Sequence, residues 1–175
     1  MLNDNFYDLA IIGGGISSSV FASIHIKNGF DGKIAIIEAG RDLGGRSSTR
    51  NSITNKGWQL NHGSPNLNIF NIDKNNSLKS FIQDLLNSNI IESDSSDLIE
   101  INRENKANSK IYSDFYIGEN YISKYSMSEL SQNIISLNNS KNNIDYYFET
   151  LIVDLEFDKN SWILTSKNGE KFKSK

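Results

Sequence analysis

Residues 7–40, YDLAIIGGGISSSVFASIHIKNGFDGKIAIIEAG, decide the fold that the sequence predicts. A continuous apolar run from Leu9 to Ile12 leads into three glycines, and a helical stretch follows from Ile16 to Asn28. Gly29 stands where that helix ends, and a second apolar run covers Lys33 to Ile37. Because the first run shows no alternation, we predict a central strand of a parallel sheet that is buried on both faces. The whole stretch predicts a βαβ unit.

Composition limits the class of protein and the classes of partner. The 175-residue chain is 37% hydrophobic and 22% charged, with a net charge of -3, which is typical of a globular domain with its own core. Basic residues are interspersed with acidic ones, so we expect no nucleic-acid partner.

The absence of cysteine excludes disulfides, cysteine zinc sites and a thiol nucleophile, and we predict no metal site. No apolar run reaches the length of a membrane span, and strand-like sequence by Tyr7 leaves no room for a signal peptide, so we expect a cytoplasmic protein.

Further elements are predicted along the rest of the chain. The apolar residues of the first helix recur near helical spacing, at Ile16, Val20, Phe21, Ile24 and Ile26. Later elements are a helix on Leu78, Phe81, Ile82, Leu85 and Leu86, a hairpin of Leu98–Ile101 with Lys110–Ile117, a helix opened by a capping box of Ser126 and Glu129, and strands at Tyr146–Phe157 and Trp162–Ser166. Asn168-Gly169 predicts a hairpin turn, after which the chain ends mid-hairpin. We therefore expect a first domain segment at 1–70, an inserted subdomain segment at 71–124 and a return segment at 125–175.

The glycine segment GGGISS, which starts at Gly13, matches G-x-G-x-x-G with serine at the last place, directly between a strand and a helix. Gly13 would allow the tight turn, Gly15 would let the backbone approach a pyrophosphate, and the amides that open the helix at Ile16 favour phosphate oxygens. Ser18 occupies the position where a small residue packs the helix against the strand. Glu38 ends the second strand, where a carboxylate can accept both ribose hydroxyls of an adenosine. Alone, these glycines could merely make a turn, and the glutamate could be a solvated strand end.

A second glycine segment follows this glutamate directly and favours the functional interpretation. Residues 39–50 read AGRDLGGRSSTR and include Arg41, Gly44, Gly45 and Arg46. Two glycines let the chain pass close to a pyrophosphate, and Arg46 can bind that group bidentately. FAD carries a pyrophosphate at the middle of its length, whereas a plain NAD-binding domain does not need the second segment.

With these motifs the sequence resembles the flavoproteins with two dinucleotide-binding motifs, in the branch that contains monoamine oxidase, phytoene desaturase and renalase. The stretch Trp58-Gln-Leu-Asn61-His62-Gly63 is most similar to the renalase-like subgroup, although Asn61 stands where that subgroup commonly has Asp. The resemblance implies an α/β, Rossmann-like FAD/NAD(P)-binding domain with a parallel sheet, a β-meander and the start of an inserted α+β subdomain. It implies FAD as the cofactor, and it identifies no catalytic residue. The cofactor-binding residues implied by the motifs and the resemblance are Gly13, Gly15, Ile16, Ser18, Glu38, Arg41, Gly44, Gly45, Arg46 and Ile152.

The resemblance also implies that the chain is C-terminally incomplete. In the family a further sheet strand, a substrate domain and a Gly-Asp motif follow the last hairpin. We therefore expect the N-terminal region of an FAD-dependent oxidoreductase that is inactive alone. Either a missing C-terminal part or a companion chain carries the rest, and the candidate substrates are NAD(P)H and a small molecule. Two alternatives stay open: an inactive remnant or nucleotide-binding module, and an NAD-binding Rossmann protein.

Overall fold

The computed structural model describes residues 6–51, 54, 57–94, 100–101, 107–108, 118–139 and 143–175. Within these residues the helices are α1 (Ile16–Lys27), α2 (Asn76–Asn87) and α3 (Leu130–Ser136). The strands are β1 (Phe6–Tyr7), β2 (Leu9–Ile12), β3 (Ile34–Ile37), β4 (Thr49–Asn51), β5 (Gln59–Asn61), β6 (Leu67–Ile69), β7 (Ile91–Ser93), β8 (Glu100–Ile101), β9 (Ala107–Asn108), β10 (Glu119–Ser123), β11 (Ile144–Tyr147), β12 (Ile152–Asp158), β13 (Ser161–Ser166) and β14 (Lys171–Ser174).

A parallel sheet in the order β11–β3–β2 lies between two layers. The side chains of β3 alternate: Ile34 and Ile36 pack with α1 and α3, while Ala35 and Ile37 face the other layer. That layer is an antiparallel meander of β12, β13 and β14, in which β14 also pairs in parallel with β1. Because both faces of β3 are covered, all four of its residues are buried. Strand β3 thus contributes to the hydrophobic clusters on both faces of the parallel sheet.

The strand predicted to be central lies at the edge of its sheet. Among the described strands, β2 pairs with β3 alone, and its Ile12 is 50% exposed. The other neighbour of β3 is β11, which comes more than a hundred residues later in the chain. The prediction that Leu9–Ile12 is buried on both faces is therefore wrong for the described part of the chain. A βαβ pattern does not show which of its two strands pairs with a strand from a distant part of the sequence.

Small residues form the buried face of α1. The fully buried residues of this helix are Ser19, Ala22 and Ser23. Asn138, just after α3, donates a hydrogen bond to the Ser23 hydroxyl at 2.8 Å, and α1 packs against α3. Phe21 and Ile24, two of the apolar residues that recur near helical spacing, are exposed. Short side chains line the contact with α3 instead, and they let the two helices approach closely. Gly29, with φ +94°, ends the helix as predicted.

The C-terminal strands differ from the prediction in two ways. The single strand expected from Tyr146 to Phe157 is two strands in different sheets, because the chain turns at 148–151, where Glu149 has φ +50°. The hairpin turn at Asn168-Gly169 is confirmed, and Gly169 has the left-handed φ of +84° that this turn requires. The expectation that the chain ends in the middle of this hairpin is wrong, because β14 pairs antiparallel with β13 and completes it.

The segment between the two parts of the sheet has its own antiparallel sheet, in the order β6–β10–β7. Helix α2 forms as predicted and buries Phe81, Ile82 and Leu85 against Leu130 and Ile134 of α3. None of the helices in the part of the chain that the structure describes is long and apolar enough to cross a membrane.

Two other predictions for this region are met in part. In this region β8 pairs antiparallel with β9, whose residues Ala107–Asn108 precede the predicted second strand. Residues 98–99 and 110–117 of the predicted strands lie outside the described residues, so the predicted pairing with 110–117 stays a prediction. Ser126 fulfils its half of the capping box, because its Oγ accepts the Glu129 N–H at 3.3 Å, and α3 then begins at Leu130.

A buried hydroxyl cluster joins the meander to the parallel sheet. Tyr7, which is fully buried, donates its hydroxyl proton to Asp145 Oδ2 at 2.9 Å, so the Tyr147 hydroxyl at 2.5 Å donates to Tyr7. Burial, together with its neighbours Tyr147 and Asp145, raises the pKa of Tyr7 far above the usual range. The Lys33 ammonium, 2.9 Å from Asp145, lowers the pKa of that carboxyl. The cluster keeps a neutral Tyr7 as a donor throughout the ordinary pH range.

We predict that Tyr7→Phe lowers the free energy of unfolding by about 1 kcal/mol, because it removes one buried hydrogen bond and leaves Tyr147 without its acceptor. Urea denaturation followed by circular dichroism measures this change. Tyr125→Phe is the matched control, since Tyr125 is 68% exposed. Equal stabilities for the two variants would contradict this role for the Tyr7 hydroxyl.

Candidate functional site

The first glycine segment leaves backbone amides facing open space at the start of α1. Gly13, with φ +95°, turns the chain out of β2 and donates its N–H to the Ile37 carbonyl at 2.8 Å. Gly15 is the N-cap residue and supplies no side-chain cap for the first amides of the helix. A Cβ placed on Gly15 would have no atom within 4 Å. A ligand can therefore reach these amides, which carry the positive end of the helix dipole.

The second glycine segment packs on the first. Gly44 donates its N–H to the Gly14 carbonyl at 2.9 Å, and Gly44 and Gly15 form a β-bridge. A Cβ on Gly45 would lie 3.4 Å from the Gly15 Cα, and a Cβ on Gly14 would lie 2.5 Å from Leu43 Cδ2. Gly44 and Gly45 also have φ of +121° and +54°, which favour glycine. The two segments thus form one side-chain-free backbone surface.

Glu38 fixes the end of β3 against this surface. Its Oε2 accepts the Gly14 N–H, and its Oε1 accepts the Gly40 N–H, both at 2.6 Å. The Glu38 N–H donates to the Tyr147 carbonyl, and the Thr150 N–H donates to the Glu38 carbonyl. Since a carboxylate has about four acceptor positions, Glu38 can take ribose hydroxyls in addition to the two amides.

Two adjoining cavities flank the paired segments. The larger has a volume of about 690 Å³, and the predicted residues Glu38, Arg41 and Gly45 line it. The smaller has a volume of about 540 Å³ and is lined by Gly45, Arg46, Ser48, Gly63 and Ser64. Because Gly45 and Ser48 line both, a long ligand can cross from one to the other over the glycines.

The backbone of Arg46 is held while its side chain is exposed. The Ser64 N–H donates to the Arg46 carbonyl at 2.7 Å, and a Cβ on Gly63 would lie 2.0 Å from that oxygen. Only glycine fits at position 63. Arg46 thereby lines the smaller cavity, and its side chain is exposed.

Six predicted residues line neither cavity. Gly13, Gly15 and Gly44 belong to the paired glycine segments, and the other three lie elsewhere. Ile16 packs against the core cluster of α2 and α3, and Ser18 is half-buried on α1 outside both cavity linings. Ile152 packs against the core cluster under the meander and lines neither cavity. In that part of the chain Phe148 lines the larger cavity instead.

Sequence reasoning missed a contact that closes the site. Thr49 donates its N–H to Ser128 Oγ at 2.5 Å, and Ser128 donates its N–H to Thr49 Oγ1 at 3.2 Å. The Thr49 hydroxyl donates to Asn61 Oδ1 at 2.6 Å, and His62 Nε2 lies 3.3 Å from Ser48 Oγ. Asn61 thus holds the β4–β5 hairpin. No local signal pairs positions 79 residues apart, although the serine belongs to the segment predicted to open a helix.

Comparison with known proteins identifies the fold. Residues 11–85 match the family described as NAD(P)-binding Rossmann-like domain. The fold is Rossmann-like. Putrescine oxidase bound to putrescine superposes with a TM-score of 0.60 at 10% identity, over 97% of this chain and 56% of that one. A putrescine oxidase variant from a redesign of cofactor binding gives a TM-score of 0.63 at 11% identity, with the same coverage. The Diels-Alderase PyrE3 of pyrroindomycin biosynthesis gives 0.55 at 11% identity, over 97% of this chain and 31% of that one.

These matches confirm the predicted fold class, and they support a dinucleotide as the cofactor. Among curated protein sequences, none matches this chain. The chain spans about half the length of the putrescine oxidase structures and about a third of PyrE3. The matched family segment runs from the end of β2 through both glycine segments.

We predict opposite effects of adding one methyl group to adjacent glycines. Gly14→Ala should lower the free energy of unfolding by about 1–3 kcal/mol, because its Cβ collides with Leu43 in a packed region. Gly15→Ala should leave stability unchanged or raise it slightly, since its φ of -80° suits alanine, yet weaken ADP binding by about 1–2 kcal/mol by blocking the amides. Thermal unfolding and calorimetric ADP titration measure the two effects. Normal ADP affinity in folded Gly15→Ala would contradict the site.

Proposed function

We propose that this chain binds FAD and forms the cofactor-binding N-terminal region of an FAD-dependent oxidoreductase of amine-oxidase-like or renalase-like type. The observation that carries the proposal is the packing of Gly44 and Gly45 onto Gly14 and Gly15, with Arg46 directly following. A ligand held only by the helix amides would need the first segment alone. A second glycine segment with an arginine suits a ligand whose pyrophosphate lies at mid-length, with bulky groups on both sides.

The described residues fit both halves of FAD. The adenosine would occupy the larger cavity, with Glu38 accepting from the ribose and the Phe148 ring beside the base. The pyrophosphate would lie over Gly15, where no side chain intrudes, with Arg46 neutralising its charge. The remainder would extend toward Gly63 and Ser64. When bound, FAD supplies hydride transfer, and the residues of this chain hold and orient it.

Turnover requires more than this chain supplies. Since the chain spans 56% of the putrescine oxidase chain, we infer that a further segment, on a C-terminal continuation of this chain or on a companion polypeptide, covers the flavin ring and binds the substrate, a small molecule or NAD(P)H. Alone, the chain is then expected to bind FAD without oxidising a substrate. An inactive nucleotide-binding module would share this behaviour, and only a completing polypeptide that restores turnover separates the two.

NAD binding is the second candidate, favoured by the description of the matched family. Both cofactors share the ADP half, so ADP binding does not distinguish them. FAD and NAD differ in what lies beyond the pyrophosphate, on the Arg46 side of the glycines. Competition of NAD⁺ against bound FAD therefore separates the two candidates.

We predict that Arg46→Ala weakens FAD binding by about 1.5–3 kcal/mol, roughly ten- to a hundredfold, and makes it less sensitive to salt. Arg50→Ala is the matched control, because Arg50 is also an exposed arginine, lies four residues after Arg46 in β4 and lines neither cavity. Titration by quenching of flavin fluorescence at two salt concentrations measures both variants. Equal affinities for the two variants, or stronger binding of NAD⁺ than of FAD, would contradict the proposal.

A further inference from the structure

The face of the meander that is turned away from the parallel sheet carries charges of both signs. Leu155, Leu164 and Phe172 lie side by side across β12, β13 and β14, and Leu164 and Phe172 are buried toward the parallel sheet. Because side chains alternate along a strand, the residues next to this row point the other way. They form two rows, Asp154–Thr165–Lys171 and Glu156–Ile163–Lys173. These six residues form the outer face.

The charges of the outer face are not neutralised within the chain. Its two carboxylates and two lysines are exposed, and none of the ion pairs between described residues includes them. Strand β13 separates β12 from β14, so each carboxylate lies about 10 Å across the sheet from the lysine of its row. The acidic side of the face and the basic side are therefore level with each other, with Thr165 and the half-buried Ile163 between them.

This arrangement is complementary to itself. When a second copy is turned by 180° about an axis along β13, its β14 lies over β12 and its β12 lies over β14. The rotation keeps each row at its own level, so Glu156 faces Lys173 of the other copy, and Ile163 meets its own counterpart. An evenly twisted sheet also keeps its shape under this rotation. Because stacked sheets lie about 10 Å apart, long side chains from the two copies can meet.

We propose that the outer face binds a second copy of this chain, in a twofold dimer held by cross-copy pairs of carboxylates on β12 with lysines on β14. A partner surface of one charge sign is repelled by one side of this face, whereas a second copy matches both sides. A face of three strands is small, so the dimer is weak and sensitive to salt. The cofactor cavities share no residue with the outer face and stay open in the dimer.

Sedimentation velocity of the chain at increasing protein concentration tests whether the dimer forms. At low salt the dimer fraction should rise with concentration. At about 1 M salt, where the Debye length is about 3 Å, the dimer should dissociate about tenfold or more readily. A chain that stays monomeric at low salt up to about 1 mM, or a dimer that salt does not weaken, would overturn the proposal.

Two charge reversals locate the interface. Glu156→Lys places lysine against lysine across the axis, and Lys173→Glu places glutamate against glutamate, so each variant should weaken its own dimer about tenfold or more. Glu170→Lys is the matched control, because Glu170 is an exposed glutamate between β13 and β14 that belongs to neither outward row. Circular dichroism checks that the variants are folded. A dimer that neither reversal weakens more than the control does would overturn the proposal.

Mixing the two reversed variants gives the sharpest result. In an equimolar mixture, the two like charges of one variant face the two opposite charges of the other, so a mixed dimer should form where each variant alone is monomeric. The double variant Glu156→Lys/Lys173→Glu should likewise regain the parent dimer, because every cross-copy pair is again of opposite sign. A reversal that merely damages the fold is not rescued by mixing. Failure of both the mixture and the double variant to dimerise would overturn the proposed pairing.

Discussion

The hydrogen bond from the Gly44 N–H to the Gly14 carbonyl is the contact on which the rest of the site depends. It brings two segments that are 30 residues apart onto one backbone surface, and it works only because no side chain stands between them. Leu43 fills the space beneath Gly14, and Glu38 holds the Gly14 amide from the end of β3. The start of α1 directly follows the first glycine segment, and Gly45 of the second segment lines both cavities. In the proposed binding mode, a dinucleotide laid across the Gly44–Gly14 contact would meet the Glu38 carboxylate, then the glycine amides and then Arg46.

Local signals in the sequence were enough to predict the elements that surround this contact. The apolar runs of β2 and β3, the glycine end of α1 and the Asn168-Gly169 turn each depend on residues close in the chain. The sheet order was not predictable, because β11 joins β3 from the far end of the chain. The buried face of α1 was not predictable for the same reason. Its serines face the core because α3 packs against them, and this contact joins residues that are far apart in the sequence.

The candidate site divides in the same way. Both glycine segments, Glu38 and Arg46 were predicted because each has a motif with a physical cause. Ser128, Thr49 and Phe148 were not, since nothing near them in the sequence indicates that they meet. Ile152 was assigned through the family resemblance, and in the structure it packs under the meander while Phe148 lines the cavity. The glycine segments of the site could thus be predicted from the sequence. The side chains that line the cavity, such as Phe148, could be identified only from the structure.

The most direct test of the shared glycine surface is the change in amide chemical shifts of the ¹⁵N-labelled chain when ADP is added. The account predicts that the amides of Gly15, Ile16, Gly44 and Gly45 shift together along one saturation curve. The amides of the outer meander strand β12 should stay unchanged as an internal control. Shifts confined to one glycine segment, or spread over the meander instead, would contradict the claim that the two segments form one site.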